Sequence, residues 1–171
     1  PAPTDPTIER IACKYCSTIS DSKSLQIIAR QQAASQAPKI PLGSKANLAG
    51  TEYIVIGFVI RAAEIQGETF RWNEYLLYGN NVGFRWLVED EGNWIFIRGI
   101  NAAEVNVQGN SAVWHGRYFN VRNQNVARVE YVVGEFYWKV EIGEQVRAAD
   151  YVNGGDVLSR EETEGEVQWS Y

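Results

Sequence analysis

Hydrophobic and polar positions alternate along most of this chain with a period of two, the repeat of strands, and only one short stretch repeats with the period of a helix. Tyr53 to Ile60, YIVIGFVI, is apolar on both parities and predicts a strand buried on both faces. Gly57 inside it predicts a bulge or a close approach of another backbone. Phe70-Arg71-Trp72 opens the next strand, which runs through Leu76-Leu77 to turn residues at Gly79-Asn80-Asn81. Phe84, Trp86 and Val88 then alternate with Arg85, Leu87 and Glu89, and the loop Glu89 to Asn93 turns the chain into Trp94 to Ile97. A polar stretch, Asn101 to Asn110, precedes a second half with cleaner alternation. There Phe136, Trp138, Val140 and Ile142 oppose Glu135, Tyr137, Lys139 and Glu141, as in a half-buried antiparallel strand. Gln145 to Tyr151, a turn at Asn153-Gly154-Gly155 and the alternating Val167-Trp169-Tyr171 complete the strands.

The first forty residues read differently. Residues 1–12 are rich in proline and extended. From Asp21 to Gln36 the pattern predicts a helix: Asp21 or Ser22 can cap it, Leu25, Ile28, Ala29 and Ala33 share one face, and Pro38 stops it. The expected organisation is a lead-in with a cysteine pair over 1–20, a helix and linker over 21–40, and a β domain over 41–171. The fold class is mainly β, with antiparallel strands in a barrel or sandwich and one N-terminal helix. A shared spacing links the two halves of the β domain, 41–100 and 111–171. Gly50, Tyr53, Val55, Gly67, Phe70 and Trp72 run in the same order as Gly116, Phe119, Val121, Gly134, Phe136 and Trp138. Such an echo is what two related meanders would leave.

Length and charge narrow the function. At 171 residues the chain can bury one core without disulfide staples. The net charge of −5 and scattered basic residues argue against nucleic-acid binding, which needs clustered Lys and Arg. No apolar run approaches the ~20 residues of a membrane-spanning helix, and no signal peptide is visible, so a cytoplasmic location is expected. The chain starts without Met, and an export signal could have been removed.

Candidate chemistry is sparse. Cys13 and Cys16 have the spacing with which one tight turn presents two thiolates to Zn²⁺, but tetrahedral zinc needs four ligands. The two cysteines read as half of a zinc ribbon completed upstream, as a dithiol, or as ordinary thiols. The lone histidine, His115, follows Trp114 at a strand end and reads as structural; no Gly-x-Ser-x-Gly elbow and no phosphate-binding Gly-rich loop occurs. Trp72 and Glu74 point to one face of a strand. That places a carboxylate in aromatic surroundings, either satisfied by donors across the sheet or forming the floor of a pocket for a cation. Candidate ligand-binding residues are Trp72, Glu74, Tyr75, Trp86, Glu135, Trp138 and Glu161. No cofactor is required, and no catalytic residue stands out. The expected role is a non-enzymatic module that binds a protein partner; a sensor for a cationic, polyamine-like molecule and a carboxylate hydrolase are the alternatives.

Several motifs in order resemble one family. Leu48-x-Gly50-x-x-Tyr53-x-Val55-Ile56-Gly57, Phe70-x-Trp72-x-Glu74-Tyr75-x-Leu77, Gly83-Phe84-Arg85-Trp86-Leu87, Gly92-x-Trp94, Gly134-Glu135-Phe136-x-Trp138 and Ser159-x-Glu161 are similar to the bacterial domain-of-unknown-function family numbered 4178, over about Pro41 to Tyr171. The resemblance implies an N-terminal zinc ribbon with Cys13 and Cys16 as its second knuckle, although Ser17 stands where that knuckle often has Gly and the first cysteine pair is absent. It also implies an accessory component found near polyamine-synthesis and membrane-associated genes, and it transfers no activity.

Overall fold

The computed structural model describes residues 2–32, 37–163 and 166–171. Its strands, in chain order, are β1 (Arg10–Ala12), β2 (Thr18–Asp21), β3 (Ile27–Arg30), β4 (Lys45–Leu48), β5 (Thr51–Ile65), β6 (Glu68–Gly79), β7 (Gly83–Asp90), β8 (Asn93–Ile97), β9 (Gly99–Ile100), β10 (Val105–Gln108), β11 (Ser111–Trp114), β12 (Arg117–Phe136), β13 (Gln145–Asn153), β14 (Asp156–Thr163) and β15 (Glu166–Ser170). Pairing is antiparallel, and a 3₁₀ turn at Ala102–Glu104 is the one helical element among the described residues.

The chain forms two compact units, each drawn from three stretches. The first takes the described residues of Pro1–Ala62, Arg71–Phe96 and Val129–Glu144; the second takes Ala63–Phe70, Ile97–Arg128 and those of Gln145–Tyr171. In the first unit the strands follow the order β8-β7-β6-β5-β12-β1-β2-β3, with β4 on the start of β5. As the double-sided apolar pattern of Tyr53 to Ile60 requires, β5 is buried on both faces. One face joins Ile56, Val59, Leu76, Val132 and Phe136 with Ile8, Ala12 and Ile19. The other joins Tyr53, Val55, Phe58, Ile60, Tyr75, Leu77 and Val133. In the second unit the order is β10-β11-β12-β13-β14-β15-β9, over a core of Trp114, Phe119, Tyr151, Leu158 and Trp169.

Gly57 marks a close backbone approach, and its partner in register is Gly134. A Cβ on Gly57 would lie 2.8 Å from the Glu135 carbonyl oxygen; one on Gly134, whose φ is +105°, would lie 2.1 Å from that of Ile56. Only glycine fits two backbones this close.

The predicted N-terminal helix is absent from the described residues. Asp21 behaves as its capping propensity suggests, but it builds a turn: its Oδ1 accepts from the Lys23 and Ser24 amides and the Ser24 hydroxyl. Local bonds of this kind compete with helix. Leu25 then takes a left-handed φ of 59°, and Ile27 to Arg30 return as β3 against β2. Beyond β3 the carboxamide of Gln31 exchanges two hydrogen bonds with the backbone of Val132. The end of the predicted helix, residues 33–36, lies outside the described residues.

A second correction concerns Phe136 to Ile142. β12 stops at Phe136, whose carbonyl accepts from Glu9, and the chain then bends back until Gly143 donates to Val129. The alternation holds only in part: Phe136, at the end of β12, and Val140, in the bend, enter the first core, whereas Trp138 is half-buried like Tyr137 and Ile142 is 41% exposed. The shared spacing of the halves is likewise partial. Ala49-Gly50 and His115-Gly116 are matching left-handed turns that lead into β5 and β12. Thereafter Gly67 is a turn residue while Gly134 lies inside β12, and Trp72 sits in β6 while Trp138 lies past the end of β12.

Candidate functional site

β6 sorts the predicted site residues by parity. Trp72 and Glu74 share one side, and Tyr75 points to the other. Glu74 is 7% exposed. Its Oε2 accepts from Nε of Arg61 at 2.9 Å, and its Oε1 accepts from the Trp72 indole at 2.7 Å. Arg61 is brought by β5, the neighbouring strand. A buried carboxylate holding a guanidinium on one oxygen and an indole N–H on the other has both its charge and its acceptors engaged.

Tyr75 is fully buried between Phe58 and Trp94, with ring centroids at 5.0 and 5.6 Å, and its oxygen accepts from the Lys39 amide at 2.9 Å. Burial pushes its phenol above the ordinary range. Glu89, which the alternating pattern placed at the mouth of a hairpin loop, is a buried junction. It accepts from Lys39 Nζ at 2.7 Å, Asn73 Nδ2 at 2.7 Å and the Gly92 amide at 3.0 Å. These donors, Lys39 first, hold its carboxyl below the ordinary value. The residue type and an adjacent tight turn were visible in sequence; its partner from residue 39 was not.

Trp86 and Trp138 are brought together edge to face, at 5.7 Å. They end a run of half-buried rings in which Tyr78 meets Phe84 at 5.4 Å, Phe84 stacks on Tyr137 at 4.6 Å and Tyr137 meets Trp138 at 5.2 Å. The Trp138 indole donates to Glu144 at 3.3 Å, and the Tyr78 hydroxyl donates to Asp5 at 2.9 Å. Glu135 accepts from the Thr4 amide at 2.7 Å. Glu161 lies in the second unit, in β14, opposite Ala148 and Gln168. The seven predicted residues therefore divide into a Trp72–Glu74 pair, a Trp86–Trp138 pair and three separate positions.

Cys13 and Cys16 flank a turn between β1 and β2. The Cys13 amide donates to Thr18 O, its carbonyl accepts from Ser17, and Ser17 adopts a φ of 55°. That left-handed position explains why glycine would be favoured there. Cys16 Sγ lies 2.9 Å from the Thr18 hydroxyl, a bond that lowers the thiol pKa. Among the described residues no group of three or more His, Cys, Asp and Glu is arranged around a metal position, so the residues present do not by themselves close a zinc site. His115, in the second unit, stacks on Trp114 at 4.3 Å and approaches Glu104 at 3.1 Å.

The comparisons with known proteins give one match: the family model "Domain of unknown function (DUF4178)" covers residues 41–171. The chain belongs to the DUF4178 family. No curated protein and no solved structure matches it. The DUF4178 match starts at residue 41, yet Ile8, Ala12 and Ile19 lie in the same core cluster as Ile56 and Phe136 from the matched region. Among the described residues of this DUF4178 chain, no helix is long and apolar enough to cross a membrane.

Proposed function

We propose that this DUF4178 chain is a non-enzymatic interaction module that receives an extended apolar segment of a protein partner along β3. The observation that supports this reading is the state of that strand. Among the described residues β3 pairs with β2 alone, and Leu25, Ile27 and Ile28 around it are 69, 53 and 43% exposed. An unpaired edge offers backbone donors and acceptors to an added strand, and apolar side chains beside it supply the contact area. A photo-crosslinking residue at position 28 should join a discrete segment of one partner, and Ile27→Lys should abolish the adduct without lowering the melting temperature. Labelling at position 28 no stronger than at the exposed Val107, in the second unit, would overturn the reading.

A second reading is supported by the Cys13–Cys16 turn: two thiols on a backbone-braced hairpin are a half-site for zinc, to be completed by two ligands from outside the described residues. Zinc bound at full occupancy by the complete native protein and lost on Cys13→Ser would support it; no zinc after purification without chelators would exclude it. The cation-sensor and carboxylate-hydrolase readings draw no comparable support, because Glu74 commits both oxygens to Arg61 and Trp72.

A further inference from the structure

The second unit carries a shallow cleft of about 330 Å³ on the face of β12, β13 and β14. Its floor follows from register. Gln124 faces Ala149, which faces Arg160; Val126 faces Arg147, which faces Glu162. Residues opposed across antiparallel strands share a face, so these two rungs lie side by side. A register shift between Val121 and Asn123 sets where the cleft begins. Before it, Phe119 and Val121 pack into the core; after it, the side-chain parity reverses and exposed Gln124 and Val126 take over that face. Ala149 contributes only a methyl group between Gln124 and Arg160, which leaves the depression.

The charges are uneven. Arg160 pairs with Glu162 along its own strand at 2.9 Å. Glu162, directly opposite Arg147, is thereby drawn aside, and among the described residues the exposed Arg147 guanidinium has no carboxylate partner. The cleft is therefore lined by two guanidinium groups and one carboxylate, in a chain whose net charge is −5. Arg147 and Arg160 are diagonal neighbours, with Cβ atoms about 7 Å apart at such positions, a span that one planar or tetrahedral anion can bridge.

We propose that this cleft binds the anionic group of a small molecule, a carboxylate or a phosphate, between Arg147 and Arg160, with the molecule's apolar part resting on Ala149 and Val126. The site lies in the other unit from β3 and does not depend on the docking reading. The test is an amide NMR titration of the full chain with inorganic phosphate and, separately, with succinate. Saturable shifts are expected at 124–126, 147–149 and 160–162, for one probe or both, and the preferred probe identifies the anion. Arg147→Gln should weaken binding about tenfold, and added NaCl should weaken it further. Arg122→Gln, an exposed cation at the register shift, should leave it unchanged, and Val126→Trp, at a position that is 47% exposed on the same face, should block it by covering the cleft. Shifts that stay linear in concentration, or an Arg147→Gln protein that binds as the parent does, would overturn the proposal.

Discussion

Buried carboxylates set the character of this chain at the scale of single residues. Glu74 and Glu89 are both almost inaccessible, and each is held by one cation and at least one neutral donor. Glu74→Gln breaks the Arg61 ion pair and should cost about 2–4 kcal/mol, at the lower end because a carboxamide oxygen can still accept from Trp72. A urea midpoint equal to that of the parent would show that the pair is not structural. For Glu89 the folded pKa lies below the ordinary 4.5, so its contribution is complete above that value and is lost as the pH falls through the lower folded value. Glu89→Gln should therefore lower the melting temperature at neutral pH and flatten its decline as the pH falls below the ordinary 4.5. Parallel acid limbs for the two proteins would contradict this. The Trp72–Glu74 pairing was legible in sequence, since strand parity alone puts the two on one side. The partners that decide what Glu74 does were not, because Arg61 arrives from another strand.

At the scale of elements, backbone conformation overruled local periodicity. Residues 21–32 have helical spacing, but the Asp21 turn and the left-handed Leu25 send them into a hairpin. A left-handed non-glycine residue is strained by about 1–2 kcal/mol. Leu25 is largely exposed, so Leu25→Gly should raise stability, by about 0.5–1 kcal/mol after the greater freedom of glycine in the unfolded chain is counted. A loss of stability would mean that Leu25 makes a contact not accounted for. The opposite holds where β5 meets β12. Gly134→Ala would force a Cβ into the Ile56 carbonyl at a positive φ and should cost roughly 4 kcal/mol or more, exceeding Gly57→Ala. Soluble expression and denaturant titration of both variants rank them directly. Gly57 was identifiable beforehand as a site of close approach. Gly134, its partner, stands out in sequence only as a counterpart of Gly67 and as part of a family motif, and its close approach is revealed only by its pairing with a residue 77 positions away.

At the scale of the molecule, the fold is wider than the family match. Ile8, Ala12 and Ile19 lie outside residues 41–171 yet fill the first core, and β1 covers one side of β12. A chain trimmed to 41–171 should lose roughly 5 kcal/mol from this burial alone and should aggregate through the uncovered β12 edge. A trimmed chain that melts like the parent would show that the first forty residues are dispensable. What the sequence by itself determined is what local rules can carry. Period-two alternation marked the strands, Gly-Asn turns marked their ends, and a two-sided apolar run marked β5 as central. Only the tertiary structure decided where the helical-looking segment went, how Phe136 at the end of β12 and Val140 in the bend beyond it enter one core, and how three separate stretches assemble each unit. The physical reason is the same in each case. Antiparallel pairing satisfies backbone groups with partners far along the chain, and nothing within a window of ten residues encodes which partner that is.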